Sequence, residues 1–219
     1  MFHVKQTEIN LQGEFNSRDF VIKTLNLSEN VSDKLDCYVT LLNEWQSKMN
    51  LVSSSTLPEV WTRHILDSGQ IFKFVKPSDK IIFDFGSGAG FPALVLAIMD
   101  ENRLLDVHCS ESDGKKSQFL KAVIDECGLN VVVHNERIEK ISVSPVDIIT
   151  ARALASLDKL MGYAFPFMSN KTRCLFLKGK KAPEEIKEAE KKWKFSTSVH
   201  SSLSSPEGRI LEISNVRKK

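Results

Sequence analysis

IIFDFGSGAGFPA, residues Ile81–Ala93, packs an apolar strand, three alternating glycines and a helix start into thirteen residues. The strand delivers Asp84 near its carboxyl end. Gly86, Gly88 and Gly90 then form a loop that tolerates positive φ and lets the backbone come close to a ligand. Pro92 sits just inside the next helix, where its missing N–H costs nothing, and the helix start offers free N–H groups.

A second marker lies downstream. Glu111 closes the next apolar stretch, where an acid can accept hydrogen bonds from both ribose hydroxyls of an adenosine ligand. Asp106 sits nearer the beginning of that strand and suits the role less. Gly88–Ala93 also satisfies the looser G-x-G-x-x-A nicotinamide fingerprint, so a NAD-dependent oxidoreductase is the natural rival. Two details favour S-adenosylmethionine (AdoMet). Asp84 before the loop suits an amino-acid ammonium better than a pyrophosphate, and the G-x-G-x-G run makes a broader loop.

Working outward, strands are predicted at Lys80–Phe85, Leu104–Cys109, Asn130–His134, Val146–Thr150 and Thr172–Leu177. Helices are predicted at Pro92–Met99, at Asp113–Cys127 (ended by Gly128), at Ala155–Phe165 (closed by Pro166), and at the charged Ala182–Trp193. Two last strands, Phe195–Ser201 and Arg209–Ser214, flank the turn-like SSPEG and suit an antiparallel hairpin. Alternating strand and helix implies a mostly parallel sheet covered on both faces, with ligands outside the carboxyl ends of the strands. The fold class expected is therefore α/β: a Rossmann-like, seven-stranded methyltransferase sheet with a C-terminal antiparallel hairpin. The first eighty residues read as helical. Leu35, Val39, Leu42 and Trp45–Met49 give Val31–Met49 helical spacing, with Ser28 or Ser32 as cap. A short helix is predicted at Leu57–His64, with Pro58 early in it, and a third starting near Asp67. Residues 1–77 are thus expected to be a helical cap and 78–219 the methyltransferase domain.

The 219 residues are 42% hydrophobic and 26% charged, the balance of an ordinary globular protein. The longest apolar run, Phe91–Met99, is far too short to span a bilayer, and MFHVKQTEINLQ at the N-terminus has no secretory pattern. A cytoplasmic protein without membrane association is expected. Cys37, Cys109, Cys127 and Cys174 form no C-x-x-C pair, so neither a metal site nor a disulfide framework is expected, but four buried thiols. The net charge of +2 excludes a generally cationic nucleic-acid binder. Locally, Lys171–Lys194 carries nine Lys/Arg against four Glu, and the tail ends Arg217-Lys218-Lys219. That surface can meet phosphate, although KAPEEIKEAEKKW reads first as a solvated helix face with Glu–Lys pairs.

FDFGSGAGFPALVLAI, ESDGKKSQFLK, TARALASLDKL and LKG at Leu177–Gly179, with WQSKMNLVS and RHILDS before them, resemble the bacterial RsmG (GidB) methyltransferases over roughly Leu41 to Arg209. The resemblance implies methylation of N7 of a guanine in the 530 loop of 16S ribosomal RNA with AdoMet, giving S-adenosyl-L-homocysteine. The implied partner is 16S rRNA or the small ribosomal subunit, and the implied state a monomer. Carried over residue by residue, Gly86 and Phe91 match loop positions that contact AdoMet, and Glu111 matches the acid after strand two. Ile138-Glu139 match the pair lying along the adenine, and Arg152 a cofactor-site arginine. Arg137 and Arg209 match basic positions that serve RNA binding or catalysis. Ala93, Gln46, Val52 and Gly69 depart from the family's usual Gly, Asn, Thr and Leu.

Guanine N7 carries an in-plane lone pair and no proton, so the methyl transfer needs no general base. Proximity, alignment and electrostatics are the contributions to look for. For Asp84, holding the loop through N–H bonds is as good a reading as touching the methionine part of the ligand. Phe91 reads nearly as well as a core anchor, and Arg152 as the partner of Glu139 or Asp84. Lys178 can face the substrate, and Arg209 can be merely solvated. His64 near Asp67 suggests an acid–base pair, but a packing histidine is commoner at such spacing. Arg63, His64 and Asp67-Ser68 join the active-site wall by resemblance only. Trp45 and Trp61 read as helix anchors. A non-catalytic RNA-binding relative is the remaining alternative.

Overall fold

The computed structural model describes residues 17–102 and 104–219; the N-terminal segment read above for a secretory pattern lies outside them. Seven strands form one sheet in the order β3-β2-β1-β4-β5-β7-β6. These are β1 (Ile81–Phe85), β2 (Asp106–Ser110), β3 (Val131–His134), β4 (Ile148–Arg152), β5 (Arg173–Lys178), β6 (Trp193–Ser201) and β7 (Arg209–Lys218). The pairings β1–β2, β1–β4, β2–β3 and β4–β5 are parallel. β5–β7 and β6–β7 are antiparallel, as expected of the C-terminal hairpin. The chain leaves β1 for β2 on one side and comes back to β4 on the other. A crevice therefore opens at the carboxyl ends of β1 and β4, where ligands of such sheets bind.

The N-terminal part consists of α1 (Arg18–Leu25), α2 (Glu29–Gln46) and an irregular run from Ser54 to Phe74. Ser28 caps α2 by accepting from the Val31 N–H, which satisfies one orphan donor of the first turn. The run after α2 corrects the reading of separate helices at Leu57–His64 and from Asp67. It passes without a break through a 3-10 turn, a π-type turn, one α turn and a second 3-10 turn. Pro58 lies inside the first 3-10 segment, where it cannot donate to a regular helical ladder. Gly69 lets this run pack closely, since a Cβ there would come within 2.6 Å of Leu25 Cδ1 and 3.0 Å of Met99 Sδ. The departure at Gln46 also has a structural role. Its side chain accepts from the Leu51 and Val52 N–H groups and donates to Val52 O, closing the turn after α2.

Two hydrophobic clusters flank the sheet. One joins Val21, Leu35, Tyr38 and Leu42 of the N-terminal helices to Leu94–Leu96 of α3 (Ala93–Met99) and to Phe119 and Leu120 of α4 (Gly114–Cys127). The N-terminal helices thus bury their apolar stripe against the layer that covers the sheet. The other cluster holds Phe83, Phe85, Phe176 and Leu211 with α5 (Leu157–Ala164) and α6 (Ala182–Ala189).

The charged helix is shorter than the predicted Ala182–Trp193. Trp193 opens β6 instead, paired with Lys218, with its indole N–H bonded to Asp158 at 3.0 Å. Burying that ring in the sheet outweighs the helical charge pattern, and it extends β7 to Lys218, past the predicted Ser214. Of the expected Glu–Lys pattern, Glu188 pairs in the open with Lys191 just past the helix end; Glu185 instead pairs with Lys178 of β5. Among the cysteines, Cys109, Cys127 and Cys174 are buried, whereas Cys37 is only half-buried.

Candidate active site

Asp84 is fully buried. Its carboxylate accepts from the Ser87 hydroxyl at 2.5 Å and the Thr150 hydroxyl at 2.6 Å. Burial pushes its pKa up to about 7, held down in part by the Ser87 and Thr150 bonds. Ser87 is a loop residue and Thr150 belongs to β4, so Asp84 fastens the glycine loop to the neighbouring strand. Its geometry is that of the loop-holding reading.

The loop is tied from the other side by β2. Ser87 N–H donates to Ser110 O at 2.9 Å, and Gly86 N–H to Ser110 Oγ at 3.2 Å. Gly88 N–H donates to Glu111 Oε2 at 3.0 Å, while Glu111 Oε1 accepts from the Asp113 N–H at 2.8 Å. Each carboxylate oxygen keeps further acceptor capacity. Gly86, Gly88 and Gly90 all have positive φ. Their surroundings differ. A Cβ on Gly90 would strike Leu94 at 2.5 Å and the Tyr38 hydroxyl at 2.9 Å, so Gly90 is demanded by packing. A Cβ on Gly88 would meet only the Gly86 carbonyl, at 3.9 Å, so this backbone faces open space.

That space is a cavity of about 270 Å³, lined by Gly86, Gly88, Ser110 and Glu111, by Arg137–Glu139 and by Arg152–Leu154. Of the sequence-predicted residues, Gly86, Gly88, Glu111, Arg137, Ile138, Glu139 and Arg152 therefore come together on one cavity. Asp84, Gly90 and Phe91 stand behind it. Phe91 is buried between Tyr38, at 5.2 Å between ring centroids, and His64, at 4.9 Å. Sequence reasoning missed Ser87 and Thr150. A hydroxyl between two loop glycines, and the Thr that opens TARA, were the available signals. Leu154 was missed too. It sits over Gly86, and the left-handed backbone of Ala153 precedes it.

A second cavity of about 880 Å³ adjoins the first and shares Arg152, Ala153 and Leu154 with it. Thr56, Arg63, His64 and Asp67 line it, as do Lys178 and, from the β6–β7 loop, Ser204, Ser205, Glu207 and Gly208. Lys178 Nζ is engaged by Ala155 O and Glu185. Arg209 turns back onto the loop, donating to Pro206 O and Gly208 O at 2.8 and 2.7 Å.

Arg152 ends β4 at the meeting of the two cavities. Its guanidinium lies over Phe91 at 5.0 Å and donates to Arg63 O at 3.0 Å and His64 Nδ1 at 2.8 Å, with Asp67 Oδ2 at 3.4 Å. Its carboxylate partner is thus Asp67, in place of the Glu139 or Asp84 read from sequence. A guanidinium only donates, so His64 Nδ1 accepts. Thr56 Oγ1 donates to Ser53 O and therefore accepts from His64 Nε2–H at 2.8 Å. The imidazole is neutral with a fixed tautomer. Burial first, then Arg152 and Arg63, lower its pKa to about 3. With both ring nitrogens engaged, His64 has the contacts of the packing histidine that its spacing favoured. Arg152→Ala should raise the His64 pKa by roughly one unit, read from its imidazole carbon shifts by NMR; an unmoved titration would contradict the contact.

The family model for GidB, described as rRNA small subunit methyltransferase G, matches residues 31–213. This chain belongs to the GidB family. Among curated relatives, the ribosomal RNA small subunit methyltransferase G of Paramagnetospirillum magneticum is 42% identical over 88% of this chain and 92% of its own length. That of Granulibacter bethesdensis is 38% identical over the whole of both chains. As the relatives' names state, the family's enzymes are methyltransferases of small-subunit ribosomal RNA. Solved structures show the same methyltransferase fold at low identity. A putative O-methyltransferase from Klebsiella pneumoniae has a TM-score of 0.57 at 11% identity, over 90% of this chain and 95% of its own. The glycopeptide N-methyltransferase MtfA, complexed with S-adenosylmethionine, has a TM-score of 0.55 at 7% identity, over 68% and 93%.

Proposed function

We propose that this chain transfers the sulfonium methyl group of AdoMet to N7 of a guanine in the 530 loop of 16S ribosomal RNA. The acceptor base and loop are those the family resemblance implies; the observation that supports methyl transfer to RNA at this site is the paired cavity. A glycine-edged pocket with Glu111 at its rim opens, past Arg152–Leu154, into a larger cavity bordered by Arg63, Lys178 and Lys181. The small cavity fits AdoMet by its chemistry. The Gly88 backbone is bare toward it, and Glu111 can accept from two ribose hydroxyls. Ile138 offers an apolar edge to the adenine, and Glu139 and Arg137 flank it.

In this reading Gly86, Gly88, Glu111, Ile138, Glu139 and Arg152 hold the methyl donor. Asp84, Gly90 and Phe91 act through the loop they support. Arg137 and Arg209 serve the RNA side, Arg209 by shaping the β6–β7 loop. No side chain is asked to remove a proton. Residues 1–77 act as the cap that supplies Arg63, His64 and Asp67, and 78–219 as the methyltransferase domain. The partner is the small subunit or its RNA, met in the cytoplasm by a monomer. Among the described residues, no helix is long and apolar enough to cross a membrane.

Titration calorimetry with AdoMet, S-adenosylhomocysteine and NAD tests the donor. NAD binding without AdoMet binding would sink the reading. The acceptor is tested by the methylation state of 16S rRNA in cells lacking the protein, where the N7 methyl group should be absent. Arg209→Ala should lower RNA methylation roughly tenfold with AdoMet affinity nearly unchanged; equal losses in both would contradict its placement.

A further inference from the structure

Asp67 joins three parts of the chain that are far apart in sequence. Its Oδ1 accepts from the Ser204 hydroxyl at 2.6 Å, the Gln70 amide at 3.2 Å and the Ser202 hydroxyl at 3.4 Å. Its Oδ2 faces the Arg152 guanidinium at 3.4 Å. Gln70 completes the grip. Its amide nitrogen donates to Ser202 Oγ at 2.8 Å, and its carbonyl accepts from the Leu203 N–H at 2.7 Å. Gln70 and Ser204 are only 2% and 7% exposed, so these bonds form out of water, where leaving a polar group unpaired is costly.

The loop so gripped, residues 202–208, turns between β6 and β7. A hairpin turn needs no such anchor to form, because strand pairing closes it. The anchor instead holds the loop against the N-terminal helical run. Ser204, Ser205, Glu207 and Gly208 thereby become a wall of the larger cavity. That wall carries acceptors suited to a nucleobase. The Ser205 hydroxyl and Glu207 carboxylate can accept from the N1–H and N2–H groups of an unstacked guanine, the edge by which such bases are read.

We propose that Asp67 and Gln70 are positioning residues that clasp the β6–β7 loop as the RNA-reading wall of the active site. This rests on the proposed function and extends it to the side that selects the substrate. The bonds of Gln70 and Ser204 to the loop act on the acceptor side, whereas Asp67 also reaches the methyl-donor pocket through Arg152.

The test is steady-state methyl transfer from labelled AdoMet to small-subunit RNA by the full chain and three variants. Gln70→Met and Ser204→Ala each remove loop bonds while keeping the Asp67–Arg152 contact. KM for RNA should rise roughly tenfold, with kcat and the calorimetric Kd for AdoMet within about twofold. Gln70→Glu sets a second carboxylate against Asp67 and should raise KM further. An unchanged RNA KM in Ser204→Ala overturns the clasp, and so does a parallel loss of AdoMet affinity. Ser204→Ala deletes one hydroxyl from a loop, so it decides the matter even if Gln70→Met fails to fold. No transfer to RNA by the unmodified protein refutes the proposed function itself. Transfer with wild-type KM in Gln70→Met and Ser204→Ala refutes the clasp alone.

Discussion

Gly86→Asp should lower AdoMet affinity by roughly 100-fold or more, about 2.7 kcal/mol, in titration calorimetry. Two costs meet at this position. Its backbone sits at φ +61, in the left-handed region, which costs a residue with a Cβ roughly 1–2 kcal/mol. The new Cβ would lie 2.6 Å from Leu154 Cδ1, so the side chain pushes Leu154 away or turns into the donor pocket. A carboxylate there also stands near Glu111, on the rim meant for the ribose. Gly88→Ala is the informative companion. No protein atom but the Gly86 carbonyl, at 3.9 Å, awaits its Cβ, so folding should lose only the left-handed backbone cost of roughly 1–2 kcal/mol. The ligand's approach should be blocked all the same. A Kd within threefold of wild type in both variants would show that the glycine loop is not the donor site.

How much of this was readable beforehand follows from the range of the interactions. The β1–loop–α3 unit is local, and so are Ser28 before α2 and Gly128 after α4; each is written within a few residues of where it acts. The mostly parallel sheet followed from alternation, and the closing hairpin from SSPEG. Boundaries failed where a distant partner decided them. Trp193 left the helix for β6 because Asp158 and Lys218 receive it. The run from Ser54 to Phe74 lost helical regularity where Pro58 interrupts its ladder. At the site, the acids were legible and their partners were not. Asp84 could be picked out as a loop acid, but its hold on Thr150 spans 66 positions. The pairing of Arg152 with Asp67 and the Asp67–Ser204 bond, across 137 positions, have no local signature.

The second large effect is on the pH dependence of stability, where Asp84 and His64 pull in opposite directions. Asp84 has a folded pKa of about 7 against an ordinary 3.8. The folded chain keeps that proton longer than the unfolded one, so this contribution is full below pH 4 and is lost as pH rises to 7. His64 has a folded pKa of about 3 against an ordinary 6.5. There the unfolded chain takes up the proton first, so its contribution is full above pH 6.5 and is lost as pH falls toward 3. Each amounts to something on the order of 4 kcal/mol, and over pH 4–6.5 the two nearly cancel. Urea unfolding should therefore show a shallow profile for the wild type in that window. Asp84→Asn keeps an acceptor for one hydroxyl, while the other can turn to accept from its amide. It should expose the His64 slope, with stability rising by several kcal/mol from pH 4 to 6.5. His64→Asn keeps an acceptor for Arg152 and should expose the opposite slope. Parallel profiles in all three proteins would show that neither group titrates as its burial requires.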